Sequence, residues 1–222
     1  MRFDAIIFDF DGVLIESEHV HNTHLAAYLS RLGHPTSVEE AVHHFMGLSG
    51  KAFTDALERW IARPLPPDFH DAHAELDARA LEGGLDEVAG AVAFILGLPP
   101  ALPRAIASSS RTRWIERHLE HLGLRDQFGD KIFSGHEHVA RGKPAPDIYL
   151  HAAQALNVDI TRSVIIEDSP VGATGAVASG AQVIGLCAGS HCLPGHAERL
   201  EAIGVHRIAH DFDEVRAFLT AP

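Results

Sequence analysis

Cysteine is scarce: Cys187 and Cys192 are the only two in 222 residues. Two thiols cannot build a disulfide framework, nor a four-ligand zinc site unaided, and such sparing use suits a reducing compartment. No apolar run approaches the roughly 18 residues that a bilayer span needs. Cations are also in short supply. Lys plus Arg number 18 against 30 Asp plus Glu, which gives −12 with neutral histidine. A surface that acidic repels phosphate backbones and anionic lipid, so neither nucleic acid nor membrane is an expected partner. A small anionic substrate would need a local cationic site. The first residues, Met1-Arg2-Phe3-Asp4-Ala5, lack the cationic start, apolar middle and cleavage site of a secretory leader, and the expected location is cytoplasmic. Neither GxGxxG nor GxxxxGK[ST] occurs, so dinucleotide and P-loop chemistry has no support.

The rest is ordinary globular material, 46% hydrophobic and 22% charged. At roughly 150 residues per domain, the length suits one core domain and a smaller insert. Phe3 and Ala5-Ile6-Ile7-Phe8 form a short apolar run of the kind that is buried on both faces of a parallel sheet. Similar runs follow at Ala105-Ile106-Ala107, Val164-Ile165-Ile166 and Val183-Ile184-Gly185-Leu186, with shorter strands expected at Lys131-Ile132-Phe133 and Arg207-Ile208-Ala209. Helical stretches separate them at Ile115 to Leu122, Ile148 to Leu156 and Val171 to Ala178. Strands alternating with helices predict an α/β fold with a Rossmann-like parallel sheet.

Between Ser17 and Leu81 there is no strand pattern. Leu25, Tyr28, Leu29 and Leu32 share one helical face, and Phe53, Leu57 and Ile61 another. Pro64 to Pro67 breaks the chain before a third helix, Asp68 to Leu81, whose acidic start suits the helix dipole. Gly83-Gly84 is a return hinge. The expected division is a core of residues 1–16 and 83–222 and a helical insert of 17–82.

Polar clusters fall on the carboxyl ends of the expected strands, where open parallel sheets place their sites. The first strand ends in Asp9-Phe10-Asp11-Gly12-Val13. Residues i and i+2 of an extended chain face the same way, so Asp9 and Asp11 are expected to share one space. The second strand ends in Ser108-Ser109-Ser110, and a later one in Glu167-Asp168-Ser169-Pro170. Ser169 and Pro170 suit a helix start, a task for which Glu167 and Asp168 are not required. Lys143 lies between Gly142 and Pro144 in a proline-stiffened loop before a helix, able to meet a phosphate or to balance carboxylates. Asp9, Asp11, Glu167 and Asp168 carry up to −4 and Lys143 returns +1. The shortfall calls for a divalent cation, and all-oxygen ligation suits Mg²⁺.

Asp9-Phe10-Asp11-Gly12-Val13, Ser108, Lys143-Pro144 and Glu167-Asp168 resemble, in order, the four motifs of the haloacid-dehalogenase-like (HAD) superfamily. The helical insert is similar to the α-helical cap of the branch holding β-phosphoglucomutase and small sugar-phosphate phosphatases. Residues 130–135, 151–158 and 187–194 resemble bacterial phosphatases of the 6-phosphogluconate kind. The resemblance implies an Mg²⁺-dependent phosphatase acting on a small phosphorylated metabolite, in which Asp9 is the nucleophile that forms an aspartyl-phosphate. Asp11 is then the general acid and base. Ser108 and the Ser109 backbone hold the phosphoryl oxygens, and Lys143 binds Asp9 and the phosphoryl charge. Asp9, the Asp11 carbonyl and Asp168 hold the metal, with Glu167 as a further ligand or a support behind it. The cap is expected to set substrate choice by closing over the site.

A mutase of the same branch is the alternative. His21 matches the mutase histidine after the first motif. The cap loop Gly47-Leu48-Ser49-Gly50-Lys51 has glycine where a mutase has arginine, and Lys51 is a point charge, not a bidentate fork. His21, Gly47 and Lys51 are therefore candidate substrate contacts, with Ser49, Arg63 and Arg79 added by charge or loop position. An alternative of another class is a catalytically silent HAD-fold binding protein, although no motif residue is lost. Oligomeric state is left open, a monomer being compatible. The chain has 17 histidines. Those at 19, 21 and 24, at 43 and 44, at 70 and 73, and at 136 and 138 cluster without HExxH or a cysteine nearby, and are read as structural surface residues. Trp60 and Trp114 are read as core.

Overall fold

A computed structural model describes residues 3–46, 48 and 50–220. Gly47 and Ser49, both substrate-loop candidates, lie outside the described residues. The chain divides into two compact units, Met1–Glu16 with Asp86–Pro222, and Ser17–Leu85.

The first unit opens on β1 (Ala5–Phe8), every residue of which is buried. The second unit follows, with α1 (Ser17–Arg31), α2 (Val38–Phe45), α3 (Gly50–Ile61) and α4 (Phe69–Gly83). The chain then returns through α5 (Ala91–Leu96), β2 (Arg104–Ser108), α6 (Thr112–His121), α7 (Arg125–Phe128) and β3 (Ile132–Ser134). After these come α8 (Asp147–Leu156), β4 (Ser163–Glu167), α9 (Pro170–Ala178), β5 (Gln182–Leu186), α10 (His196–Ile203), β6 (Arg207–Ala209) and α11 (Phe212–Thr220).

The six strands form one sheet in the order β3-β2-β1-β4-β5-β6, and every adjacent pair is parallel. The fold is a Rossmann-like α/β sheet with a helical cap inserted after the first strand. Alternation along the strands explains the two packed faces. Ile7, Ala105, Ile165 and Val183 share a core with Tyr149 and Ala152 of α8 and Ala176 of α9. Phe8 points the other way, edge-on to Phe94 and Phe128. Strand order reverses between β1 and β4, so the crevice at their carboxyl ends is the place where such sheets bind ligands.

The helical unit has its own core, with Leu25 and Leu29 of α1, Phe45 of α2, Leu57 and Ile61 of α3 and Phe69 of α4. Helix α2 starts on a reciprocal cap: the Ser37 side chain accepts from the Glu40 N–H, and the Glu40 carboxylate from the Ser37 N–H. The α4 start departs from expectation. The helix begins at Phe69, and Asp68 makes no side-chain cap but accepts from the Tyr28 hydroxyl at 3.3 Å. Trp60 is partly buried on this core, and its indole N–H donates to Thr36 Oγ1 at 3.0 Å.

The chain leaves and re-enters the first unit at one place. The Glu16 N–H donates to the Asp86 carbonyl at 2.9 Å and the Val88 N–H to the Leu14 carbonyl at 3.0 Å, and Ile15 bridges Glu87 in antiparallel fashion. The surface assignment of histidines does not extend to His118, His191 and His196, which are buried. His118 packs within its own helix, its Nδ1 on the Trp114 carbonyl at 2.8 Å, whereas His191 and His196 meet Asp168 across a long separation that no spacing reveals. Among the described residues, no helix is long and apolar enough to cross a membrane.

Candidate active site

β1 ends at Phe8, and the next residue, Asp9, is buried with its N–H on the Ile166 carbonyl of β4 at 2.9 Å. Lys143 Nζ donates to Asp9 Oδ1 and to Glu167 Oε1, both at 2.7 Å, with only 4% of its side chain exposed. Burial works against the Lys143 cation, but Asp9 and Glu167 outweigh it and hold its pKa well above the usual lysine value. Burial, with Glu167 and Asp168 adding to it and Lys143 opposing, pushes the Asp9 carboxyl well above its ordinary range.

Glu167 is fully engaged. Its Oε1 also accepts from the Tyr149 hydroxyl at 3.1 Å, and its Oε2 accepts from the Ser169 N–H at 2.7 Å and the Ser169 hydroxyl at 3.1 Å. Ser169 caps α9 as expected, accepting from the Gly172 N–H, with Pro170 in the first turn. Glu167 is not needed for the cap but braces it, because a strand-end carboxylate two residues before a cap is within reach of the cap's own N–H. Glycine spacing on α9 makes room for the arrangement. A Cβ on Gly172 would lie 1.5 Å from Glu167 Oε1, and one on Gly175 2.9 Å from the Ala145 carbonyl of the Lys143 loop.

Asp168 is buried beside it. Its Oδ2 lies 2.9 Å from His191 Nε2, and its carbonyl accepts from His196 Nε2 at 2.6 Å. Gly12 closes the other side. At φ +76° it turns the chain back, and a Cβ there would lie 2.2 Å from Asp168 Oδ2. Carboxylate oxygens of Asp9, Glu167 and Asp168 all fall within 4.8 Å of one another. Three buried negative charges and one lysine leave −2, a heavy burden in a low-dielectric site without a compensating ion. A hard-oxygen donor set with that deficit fits one Mg²⁺.

The Asp11 carboxylate is not one of the three mutually close groups. Its carboxylate is held from the β2–α6 side. Ser110 Oγ donates to Asp11 Oδ2 at 2.6 Å, Ser108 Oγ to the same oxygen at 3.4 Å, and Trp114 Nε1 to Oδ1 at 3.0 Å. Trp114 is thus more than core, and Trp114 and His191 are site residues that spacing does not reveal, whereas Ser110 belongs to the strand-end serine cluster expected there. Ser108 is buried at the end of β2, and its Oγ also accepts from the Ser110 N–H at 2.9 Å. Ser109 follows it, half-buried.

The other candidates belong to the helical unit. His21 on α1 lies 3.5 Å from Asp77 of α4. Lys51, in the first turn of α3, is exposed and paired with Asp55 at 2.7 Å. Arg63 donates to the Leu32 carbonyl at 2.9 Å, and Arg79 to Glu75 at 2.7 Å. Each of these side chains has a structural partner within its own unit.

Residues 3–180 match the family model described as a hydrolase, haloacid dehalogenase-like hydrolase. The chain belongs to that family. The structure is similar to that of a haloacid dehalogenase-like protein of unknown function from Agrobacterium tumefaciens, with a TM-score of 0.90, 34% identity and coverage of 99% of this chain and 98% of that one. It is also similar to a HAD family hydrolase from Deinococcus radiodurans solved with bound phosphate and sodium, with a TM-score of 0.81, 32% identity and coverage of 98% and 95%. A 6-phosphogluconate phosphatase from Escherichia coli is 28% identical over 195 residues, covering 87% of this chain and 86% of that protein.

Proposed function

We propose that this HAD-like hydrolase is an Mg²⁺-dependent phosphatase that releases phosphate from a small phosphorylated metabolite, a sugar phosphate by class, through an aspartyl-phosphate on Asp9. The observation that carries this reading is the buried Asp9 carboxylate bound by Lys143 beside two further carboxylates. Asp9, Asp168 and the Asp11 backbone carbonyl would hold the ion. When bound, it offsets the phosphoryl charge that would otherwise repel a carboxylate nucleophile. Glu167 has its lone pairs committed to Lys143, Tyr149 and Ser169, and its role is to orient the lysine.

Asp9 attacks phosphorus, its Oδ–P bond forms, and the ester P–O bond breaks. The leaving oxygen takes a proton from Asp11, which then accepts one from the water that hydrolyses the acyl phosphate. Ser110 and Trp114 fix the Asp11 carboxyl for this shuttling. Ser108 and the Ser109 backbone lie at the end of β2, where phosphoryl oxygens are met. Lys143 balances charge on both Asp9 and the transferring group. Similarity to a 6-phosphogluconate phosphatase supports an acidic or neutral sugar phosphate as substrate.

The test is phosphate release by purified protein with Mg²⁺ over a panel containing 6-phosphogluconate, β-glucose 1-phosphate and phosphoglycolate. Turnover lost in Asp9→Asn is expected. Conversion of glucose 1-phosphate to its isomer without phosphate release would overturn the phosphatase assignment in favour of a mutase. No turnover of any ester by the wild type would overturn both.

A further inference from the structure

A second cluster of ligating side chains lies within the same unit, joined to the first through His196, whose ring meets the Asp168 carbonyl. Cys187 is the first residue after β5, its N–H bonded to the Ala209 carbonyl of β6 at 2.7 Å. Cys192 follows in a turn whose N–H donates to the Gly189 carbonyl at 3.0 Å. His196 is the first residue of α10 and is buried. One donor atom of each, two sulfurs and a ring nitrogen, lies within 4.8 Å of the other two.

This donor set differs in kind from the carboxylate pocket. Thiolate and imidazole favour zinc or copper(I) and discriminate against Mg²⁺. A tetrahedral zinc with bonds of about 2.3 Å to sulfur and about 2.0 Å to nitrogen puts its ligand atoms roughly 3.5–3.8 Å apart. At the 4.8 Å limit the sulfur–sulfur pair has to close by about 1.0 Å and each sulfur–nitrogen pair by about 1.3 Å. His196 is already oriented as ligating histidines commonly are. Its Nε2–H is spent on the Asp168 carbonyl at 2.6 Å, so its Nδ1 carries the lone pair. Arg199 donates to that nitrogen at 3.1 Å and has to turn aside. Its side chain is half-exposed and free to do so at the cost of one hydrogen bond.

We propose that Cys187, Cys192 and His196 form a soft-metal site, of Cys₂His composition with water in the fourth position, that takes Zn²⁺ in addition to the ion of the Mg²⁺ pocket. Binding releases two thiol protons to solvent as the two zinc–sulfur bonds form, with no change in oxidation state.

The test uses full-length protein with reduced thiols, verified by thiol count, and excess Mg²⁺ present to fill the carboxylate pocket. Co²⁺ is titrated as a spectroscopic stand-in for Zn²⁺. A thiolate-to-cobalt charge-transfer band with tetrahedral visible bands is expected, displaced by one equivalent of Zn²⁺. Cys187→Ser and Cys192→Ser should each weaken Zn²⁺ binding by at least about tenfold, the lower range seen for disturbing even an indirect ligand partner. The double variant should abolish the charge-transfer band. Absence of the band in the reduced wild type, or its survival in the double variant, would overturn the assignment.

Discussion

Replacing Gly172 by alanine sets two effects of opposite sign against each other. In a helix interior, alanine is favoured over glycine by about 1 kcal/mol, so propensity alone predicts a more stable protein. The structure predicts the reverse. The new Cβ would lie 1.5 Å from Glu167 Oε1 and 2.7 Å from its Oε2, and Glu167 is completely buried. Either α9 shifts, at the roughly 1–3 kcal/mol typical of overpacking, or Glu167 leaves Lys143. Breaking a buried ion pair costs about 3–5 kcal/mol. With the propensity gain deducted, a net loss of about 2 kcal/mol is expected from α9 displacement alone at its upper range, or from loss of the ion pair at its lower. For a chain of this length that lowers Tm by about 4–8 °C. Gly83→Ala is the control. It lies at the end of α4 with nothing within 4 Å of the added Cβ, and a gain of up to about 1 kcal/mol is expected. Thermal and urea unfolding of both variants, metal-free and with Mg²⁺, gives the signs. A Gly172→Ala protein stabilised by about 1 kcal/mol, the full propensity gain, would refute the claim that Glu167 is locked where it stands.

Trp114→Phe removes the indole N–H from Asp11 while keeping most of the ring. A hydrogen bond to a charged group contributes about 1.5–3 kcal/mol, and if it serves the proton shuttle, kcat falls about 10–100-fold with KM nearly unchanged; unaltered kcat would remove Trp114 from the mechanism. Mg²⁺ at a hundred times its Kd should stabilise the protein by about 2.7 kcal/mol, raising Tm by roughly 5–10 °C, with the shift reversed by EDTA and lost in Asp168→Asn. Both tyrosines of the chain have raised pKa values, Tyr28 by burial and Asp68 and Tyr149 by burial and Glu167. The folded values exceed the unfolded ones, so this contribution to stability is complete below about pH 10 and is lost as pH rises through the folded values. Ultraviolet titration should show less than half ionisation at pH 10 in the native protein and an ordinary midpoint in denaturant. Native half-ionisation at or below pH 10 would contradict the burial of both rings.

The sheet was readable because burial on both faces leaves a plain mark, as in Ala5-Ile6-Ile7-Phe8, and because polar residues gather where such strands stop. Helices α6, α8 and α9 carried periodicity long enough to see, whereas α5 and α7 are too short for a repeat. Asp9, Lys143 and Glu167 stand out as charges at strand ends or in a stiff loop, and the structure brings these three together. Contacts made by ordinary residues across long separations leave no such mark. Trp114 looks like core in any sequence, and only the packing of α6 turns its N–H toward Asp11. His191 likewise meets Asp168 through a loop whose path no spacing specifies. Asp68 shows the converse. It has the right residue type for a helix cap, but the Tyr28 hydroxyl claims its carboxylate.

The paired segment at Ile15–Glu16 and Asp86–Val88 has a consequence for how this protein could have arisen. Because departing and returning strands are already hydrogen-bonded to each other, the sheet domain meets the helical unit as though it were a single long hairpin loop. Loop-closure cost rises by only about 0.6 kcal/mol per doubling of length, so expanding a turn of nine residues or so to Ser17–Leu85 adds about 2 kcal/mol, a toll a self-folding guest can offset. The graft point is therefore a socket. Helical inserts of other lengths and surfaces could be exchanged there with the phosphate chemistry left untouched, and a short turn closing Glu16 to Asp86 should yield a sheet domain that folds alone.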